Sequence, residues 1–211
     1  MAGARVSLGV RVKSGVARAV AMNLSGSSPQ VALCSTLDLC DAAVPGSRQP
    51  YHALMQIRGP RAAELEARLR AVVRDATHRS VQRLLDDAKS KGLQVVASSL
   101  VVGSTIDPAR IANEHIRAHA LEGQLFRIML VECFRSHRLP CGVFVEKEIF
   151  GQANTALGKS TEELKRVLTA LGRGGPRPWR ADEKLATLGA LLASRASPSK
   201  AAVTNDAPAA K

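Results

Sequence analysis

Residues 93–104, LQVVASSLVVGS, form an almost continuous apolar run rich in valine. A run of this kind is typical of a β-strand buried on both of its faces. Such a strand needs helices above and below its sheet, which points to an α/β class.

The start of the chain supplies the rest of that sheet. In VSLGVRVKSGVARAVAMNLS, residues 6–25, Val6, Leu8, Val10 and Val12 alternate with Ser7, Gly9 and Arg11. Apolar residues resume after the turn-like KSG through Val16, Val20, Met22 and Leu24, so a β-hairpin is predicted. A second turn, SGSSP, leads into QVALCSTLDLCD at 30–41, where Val31, Leu33, Ser35 and Leu37 share one face. Three antiparallel strands therefore open the protein, with no Asp or Glu before Asp38.

Residues 42–60 carry three prolines and two glycines and read as a long loop. From Arg61 to Lys91 apolar residues recur at helical spacing, and Gly92 ends the pattern. A second helix is expected from about Pro108 to His137, then a strand over CGVFVEKEI at 141–149, then helices near 160–171 and 180–194. The last residues, 195–211, are small, polar and proline-containing, so they are expected to be a disordered tail behind a single domain spanning 1–194. The predicted order is β-β-β-α-β-α-β-α around a mixed five-stranded sheet with helices on both faces.

This order is that of the RNase H-like superfamily. LGVRVKSG at 8–15 resembles the first strand and turn of its Holliday-junction resolvase (RuvC-like) branch, and ADEKLATLGALLA at 181–193 resembles that branch's last helix. The resemblance implies a nucleic-acid enzyme that holds two divalent cations between carboxylates, one to activate water and one to stabilise the leaving oxygen. It also places an indispensable Asp on the first strand, where this chain has Arg11. Asp182 and Glu183 match the acidic start of the final helix and are candidate catalytic or metal-binding groups; two acids in a first helical turn also simply favour the helix dipole.

Ligands in open sheets of this type gather beyond the carboxyl ends of the parallel strands. That edge should collect Asp38, Asp41, Arg48, Tyr51, His52, Ser104, Asp107, Glu146 and Glu148, of which Glu146 joins the catalytic candidates; Asp41 and Asp107 also read as a turn former and a helix cap. A separate candidate is NEHIRAHALEGQLFR at 113–127, where His115, His119 and Glu122 follow at i, i+4 and i+7 on one helical face. Glu122 shares a side with Ala118, Leu121, Leu125 and Met129 and should be buried. The trio reads as a catalytic carboxylate or a transition-metal site, or as a structural network satisfied internally.

The balance of 30 Lys and Arg against 18 Asp and Glu gives +12, which predicts attraction to polyanions. Candidate nucleic-acid contacts are Arg11, Lys13, Arg48, Arg173, Arg177 and Arg180, with Trp179 available to stack on a base or to anchor the last helix. Aromatic residues make up only 3%, which disfavours sequence-specific single-strand binding. The four cysteines form no CxxC pair and read as reduced, mostly buried thiols. No apolar run reaches about 18 residues, and Arg5, Arg11, Lys13 and Arg18 interrupt any signal-like segment, so a cytoplasmic protein with no membrane partner is expected. The leading expectation is a nucleic-acid-associated protein, non-catalytic or a divergent nuclease, with a divalent cation as its cofactor if it has one and homodimerisation left open. The alternatives are a metal-dependent hydrolase using His115, His119 and Glu122, or a non-enzymatic scaffold.

Overall fold

The computed structural model describes residues 3–23, 25, 28–173 and 178–195. Strands β1 (Ala4–Lys13), β2 (Val16–Asn23) and β3 (Gln30–Asp38) form an antiparallel meander. Lys13 pairs with Val16 around a two-residue turn in which Gly15 takes φ 75°, a left-handed conformation that suits glycine. Helices α1 (Pro50–Leu54) and α2 (Pro60–Ser90) carry the chain over the sheet to β4 (Leu93–Val102), which pairs parallel with β1. Helix α3 (Glu114–Ser136) makes the next crossover, to β5 (Cys141–Val145), parallel to β4. Helices α4 (Ile149–Leu157), α5 (Thr161–Leu171) and α6 (Ala181–Ala193) complete the described chain. The sheet order is β3-β2-β1-β4-β5, with β2 alone running against the other four.

The mixed five-stranded sheet with helices on both faces agrees with the expectation, and three local differences have physical causes. The 42–60 segment is not wholly irregular, because Pro50, which has no N–H, begins a short helix at a position where that donor would have no intrahelical partner. The helix expected from 108 starts at Glu114, where the Asn113 side chain accepts from the Ile116 amide; Pro108–Arg110 form a separate 3-10 turn. Strand β5 ends at Val145 rather than 149, and α4, unforeseen, begins at the buried Ile149. The expected tail lies outside the described residues beyond Arg195.

Alternation along β1 divides the interior in two. Val6, Leu8, Val10 and Val12 point into a core built with Val73, Val81 and Leu84 of α2 and Phe126, Leu130 and Phe134 of α3. The opposite set, Ser7, Gly9 and Arg11, is also buried, because α6 lies over it. Val101 of β4 turns to that second layer and packs with Ile149, Leu164, Leu168 and Leu188. Leu100 and Val102 turn to the first, so the end of β4 is buried on both sides as its composition implies.

The approach of α6 to β1 depends on glycine. A Cβ at Gly9 would fall 1.8 Å from the Ala186 carbonyl oxygen and 2.5 Å from the Ala190 nitrogen, both backbone atoms that no rotamer change can move. Gly9→Ala must therefore push α6 off the sheet, at a cost above the ~1–3 kcal/mol typical of overpacking. Thermal denaturation should show this as a drop in midpoint of several degrees or more; an unchanged midpoint would mean that the two backbones are not in contact.

Candidate functional site

Beyond the carboxyl ends of β1 and β5 the fold gathers six charged side chains. Arg11 is on β1, Lys13 ends it, Arg18 is on β2, Glu146 follows β5, and Asp182 and Glu183 occupy the first turn of α6. Arg11 is only 7% exposed. Its Nη1 donates to the carbonyls of Val12 at 2.8 Å and Val101 at 3.3 Å, and its Nη2 donates to Glu146 Oε2. Asp182 Oδ1 lies 3.9 Å from Arg11 Nε, while its Oδ2 accepts from Lys13 Nζ at 2.8 Å. Glu183 is buried; its Oε1 lies 3.6 Å from Arg18 Nε and its Oε2 accepts the Arg180 backbone N–H at 2.8 Å, capping α6.

Three cations thus meet three carboxylates, and the formal charge of the cluster is zero. This arrangement does not fit the two divalent cations implied by the resemblance. A carboxylate set for two such ions must present free oxygens around a shared space. Here a guanidinium fills that position and takes up Glu146, while Lys13 takes up Asp182. No metal-assisted step can be built on these groups as they stand. Arg11 is likewise too enclosed to meet a phosphate, whereas Lys13 keeps about half its side chain exposed.

Glu122 is not part of this cluster. It lies on α3, in the layer across the sheet from α6, and its residue exposure is 0%. Its Oε1 is 2.7 Å from His52 Nδ1 and also accepts the His52 backbone N–H at 3.3 Å. Its Oε2 has no hydrogen-bond partner; His119 Nδ1 is 3.7 Å away. His115 and His119 are exposed, with their Nε2 atoms 3.2 Å apart, and His52 packs against both rings. The expected trio is therefore a quartet. His52 enters from α1, whose neighbouring Tyr51 is held by Glu66 and Arg70 of α2.

The other candidates fall into simpler places. Arg48 is exposed, and its side chain lies against the Gly15 turn, where an added Cβ would meet Arg48 Cγ at 2.7 Å. Arg173 and Arg180 are exposed at the end of α5 and the cap of α6, and Arg177 lies outside the described residues. Trp179 is not presented for stacking: its ring lies against Gly172 and its N–H donates to the Leu168 carbonyl at 2.8 Å, so it anchors the lead into α6. Asp41, Ser104 and Asp107 each accept a backbone N–H two residues on, the habit of turn residues. Glu148 is exposed beside Lys147.

All four cysteines are free thiols; Cys133 is buried and the others half-buried. Burial pushes Cys34, Cys133 and Cys141 up to about 11, with the Glu183 carboxylate adding to the effect at Cys34. Such thiols stay protonated near neutral pH and are poor nucleophiles.

Sequence reasoning missed the parts played by His52 and Arg18. The hairpin itself held the signal for Arg18: closing β1 on β2 around Ser14 and Gly15 sets Arg11 directly opposite Arg18.

No family model matches the sequence, and no curated protein is similar to it in sequence. Solved structures do share the fold. RuvC from Thermus thermophilus superposes with a TM-score of 0.52 at 12% identity, and the same protein in complex with a Holliday junction substrate does so at 0.52 and 11%. Each match covers 90% of this chain and 93% of the other. At such identity the likeness establishes an RNase H-like, RuvC-like fold and leaves the chemistry to the residues. Among the described residues no helix is long and apolar enough to cross a membrane.

Removal of the Arg11 guanidinium should leave Glu146 without its ion-pair partner and Asp182 with Lys13 alone. Those side chains are 44% and 26% exposed, so water can replace part of what is lost. Arg11→Leu is expected to cost about 1–3 kcal/mol, below the ~3–5 kcal/mol of a fully buried broken pair. In a chain of this size that is read as a fall of about 2–4 °C per kcal/mol. A variant as stable as the wild type would show that the ion pairs contribute nothing.

Proposed function

We propose that the chain is a nucleic-acid-associated protein that uses a resolvase-like frame for binding and carries no two-metal phosphodiester cleavage at the position of that frame's active site. The observation that carries this reading is Arg11, enclosed among Glu146 and Asp182 where the resemblance calls for a carboxylate. A divalent cation approaching it would meet a fixed positive charge and acids already neutralised. Binding is supported by the +12 charge and by the structural similarity to a protein solved with a Holliday junction substrate.

Contacts to phosphate fall to the cations that keep solvent exposure along this edge. Arg48 beside the β1–β2 turn, Lys13, Arg173 and Arg180 are such groups, and Arg177 follows the same stretch of sequence. The neutral ion-paired cluster gives them little net help, so affinity rests on a modest number of phosphate contacts and is read out without base specificity.

Duplex and four-way-junction DNA, titrated at increasing salt, test the reading. Roughly four phosphate contacts predict a loss in affinity on the order of a hundredfold between about 50 and about 200 mM salt. Neither DNA should be cut in the presence of magnesium or manganese. Arg11→Asp, which turns the position back into an acid beside Glu146 and Asp182, should acquire a manganese-dependent rise in melting temperature that the wild type lacks. Junction cleavage by the wild type that is lost in Glu146→Gln and Asp182→Asn would sink the proposal.

A further inference from the structure

The quartet on α1 and α3 carries an inference independent of nucleic-acid binding. We propose that His52, His115 and His119 bind one transition-metal ion, zinc in the first instance, with Glu122 holding His52 in place from the protein side.

The geometry supports this ligand set more closely than the sequence spacing alone, which puts Glu122 among the ligands. Each of the three imidazoles offers a ring nitrogen, and the three atoms lie within 4.8 Å of one another. The two Nε2 atoms on α3 are 3.2 Å apart. Ligands of a tetrahedral zinc, each at about 2.0–2.1 Å, stand about 3.3 Å from each other, so this pair already has the separation a shared ion requires. His115 and His119 are exposed, and the centre of the His52 ring lies 4.8 and 4.3 Å from theirs.

Glu122 is better placed behind a ligand than as one. Its Oε1 faces His52 Nδ1 at 2.7 Å, and an ionised carboxylate, which can only accept, fixes the proton on Nδ1. The lone pair then belongs to Nε2, which is buried and has no hydrogen-bond partner. A histidine whose far nitrogen is held by a carboxylate is the usual arrangement around protein-bound zinc. The buried Glu122 Oε2 is also bare. A buried carboxylate with one oxygen unsatisfied is costly unless positive charge lies close by, and an ion between the imidazoles supplies it.

Imidazole ligands select zinc, copper or nickel over magnesium and calcium, which prefer oxygen. The site is therefore unlike the carboxylate-held ions of the resolvase branch and lies in the other helix layer. Three protein ligands leave a fourth position on the exposed side, open to water or an added ligand. The ion would also tie α1, and with it the 42–60 segment that carries Arg48, to the rigid helix α3.

The test uses the full chain, stripped with a chelator and titrated with zinc sulfate, read by calorimetry, by metal content and by melting temperature. One zinc per chain is expected, with a melting temperature that rises with zinc concentration. Cobalt in its place should give the visible absorption of a tetrahedral site. His52→Ala and His119→Ala should abolish uptake, and Glu122→Gln should weaken it about 10–100-fold, the usual effect of losing an outer carboxylate. Should Glu122→Gln fail to fold, His115→Ala, which alters an exposed ring, carries the same test. The double variant His78→Ala, His137→Ala serves as the control, because those histidines line a separate groove with Arg79 and Arg83. A wild type that takes up no zinc, retention of full affinity in His115→Ala, or loss of zinc in the control instead would overturn the proposal. None of these outcomes depends on whether DNA is bound.

Discussion

Arg11 and Arg18 stand directly opposite each other on the central hairpin, with side chains on the same face of the sheet. Like charges in that relation repel, and the first 37 residues contain no acid to separate them. The fold resolves the conflict by bringing carboxylates from the far end of the chain. Glu146, just past β5, and Asp182, in the first turn of α6, reach Arg11; Glu183, one residue on, reaches Arg18. The placement of α6 follows from this need together with Gly9, which lets the helix backbone lie on β1 two residues before Arg11. Asp182 and Glu183 also lie near the positive end of the helix, and Glu183 caps it, so one turn serves the helix and the sheet at once.

The same balance decides what this edge can do. A carboxylate cluster recruits divalent cations because its charges repel each other until an ion arrives between them. Here the repulsion is already relieved from within, by groups joined to the chain at high effective concentration. An external ion would have to displace a guanidinium that also satisfies two backbone carbonyls, those of Val12 and Val101. Displacement would leave both carbonyls without that donor and would enclose an arginine beside a dication. The geometry therefore favours the closed, ion-paired state.

Much of this was legible in the sequence, and the parts that were not share a cause. The alternation from Val6 to Val12, the KSG turn and the valine-rich run at 93–104 are local signals and give the sheet. The presence of Arg11 at the first-strand position was equally plain. What a single sequence does not show is which distant partner each charged group meets. The Glu122 and His52 contact spans 70 residues and the Arg11 and Glu146 contact 135. Helical spacing could group His115, His119 and Glu122 because the period lies within one element; it could not add His52, whose helix is only five residues long and begins inside a proline-rich loop. The break between Pro108 and Glu114 was missed although Asn113 marks it, since an apolar period continues through the cap. Trp179 was open to two readings until its ring was seen against Gly172.

The two charged clusters differ in a way that bears on what each is for. Around Arg11 every carboxylate has a cation beside it, and Arg11 Nε, which makes no hydrogen bond, still has Asp182 Oδ1 3.9 Å away. Around Glu122 the carboxylate is sealed from solvent, one of its oxygens is bare, and the imidazole it orients turns a second bare nitrogen toward two more histidines. Buried polar groups are nearly always satisfied, so two bare atoms within one small network are unusual. The two bare atoms belong to the two partners of one hydrogen bond, the Glu122 carboxyl and the His52 ring. An ion held as proposed would offset the charge of the buried carboxylate, which water, able only to satisfy hydrogen bonds, would not.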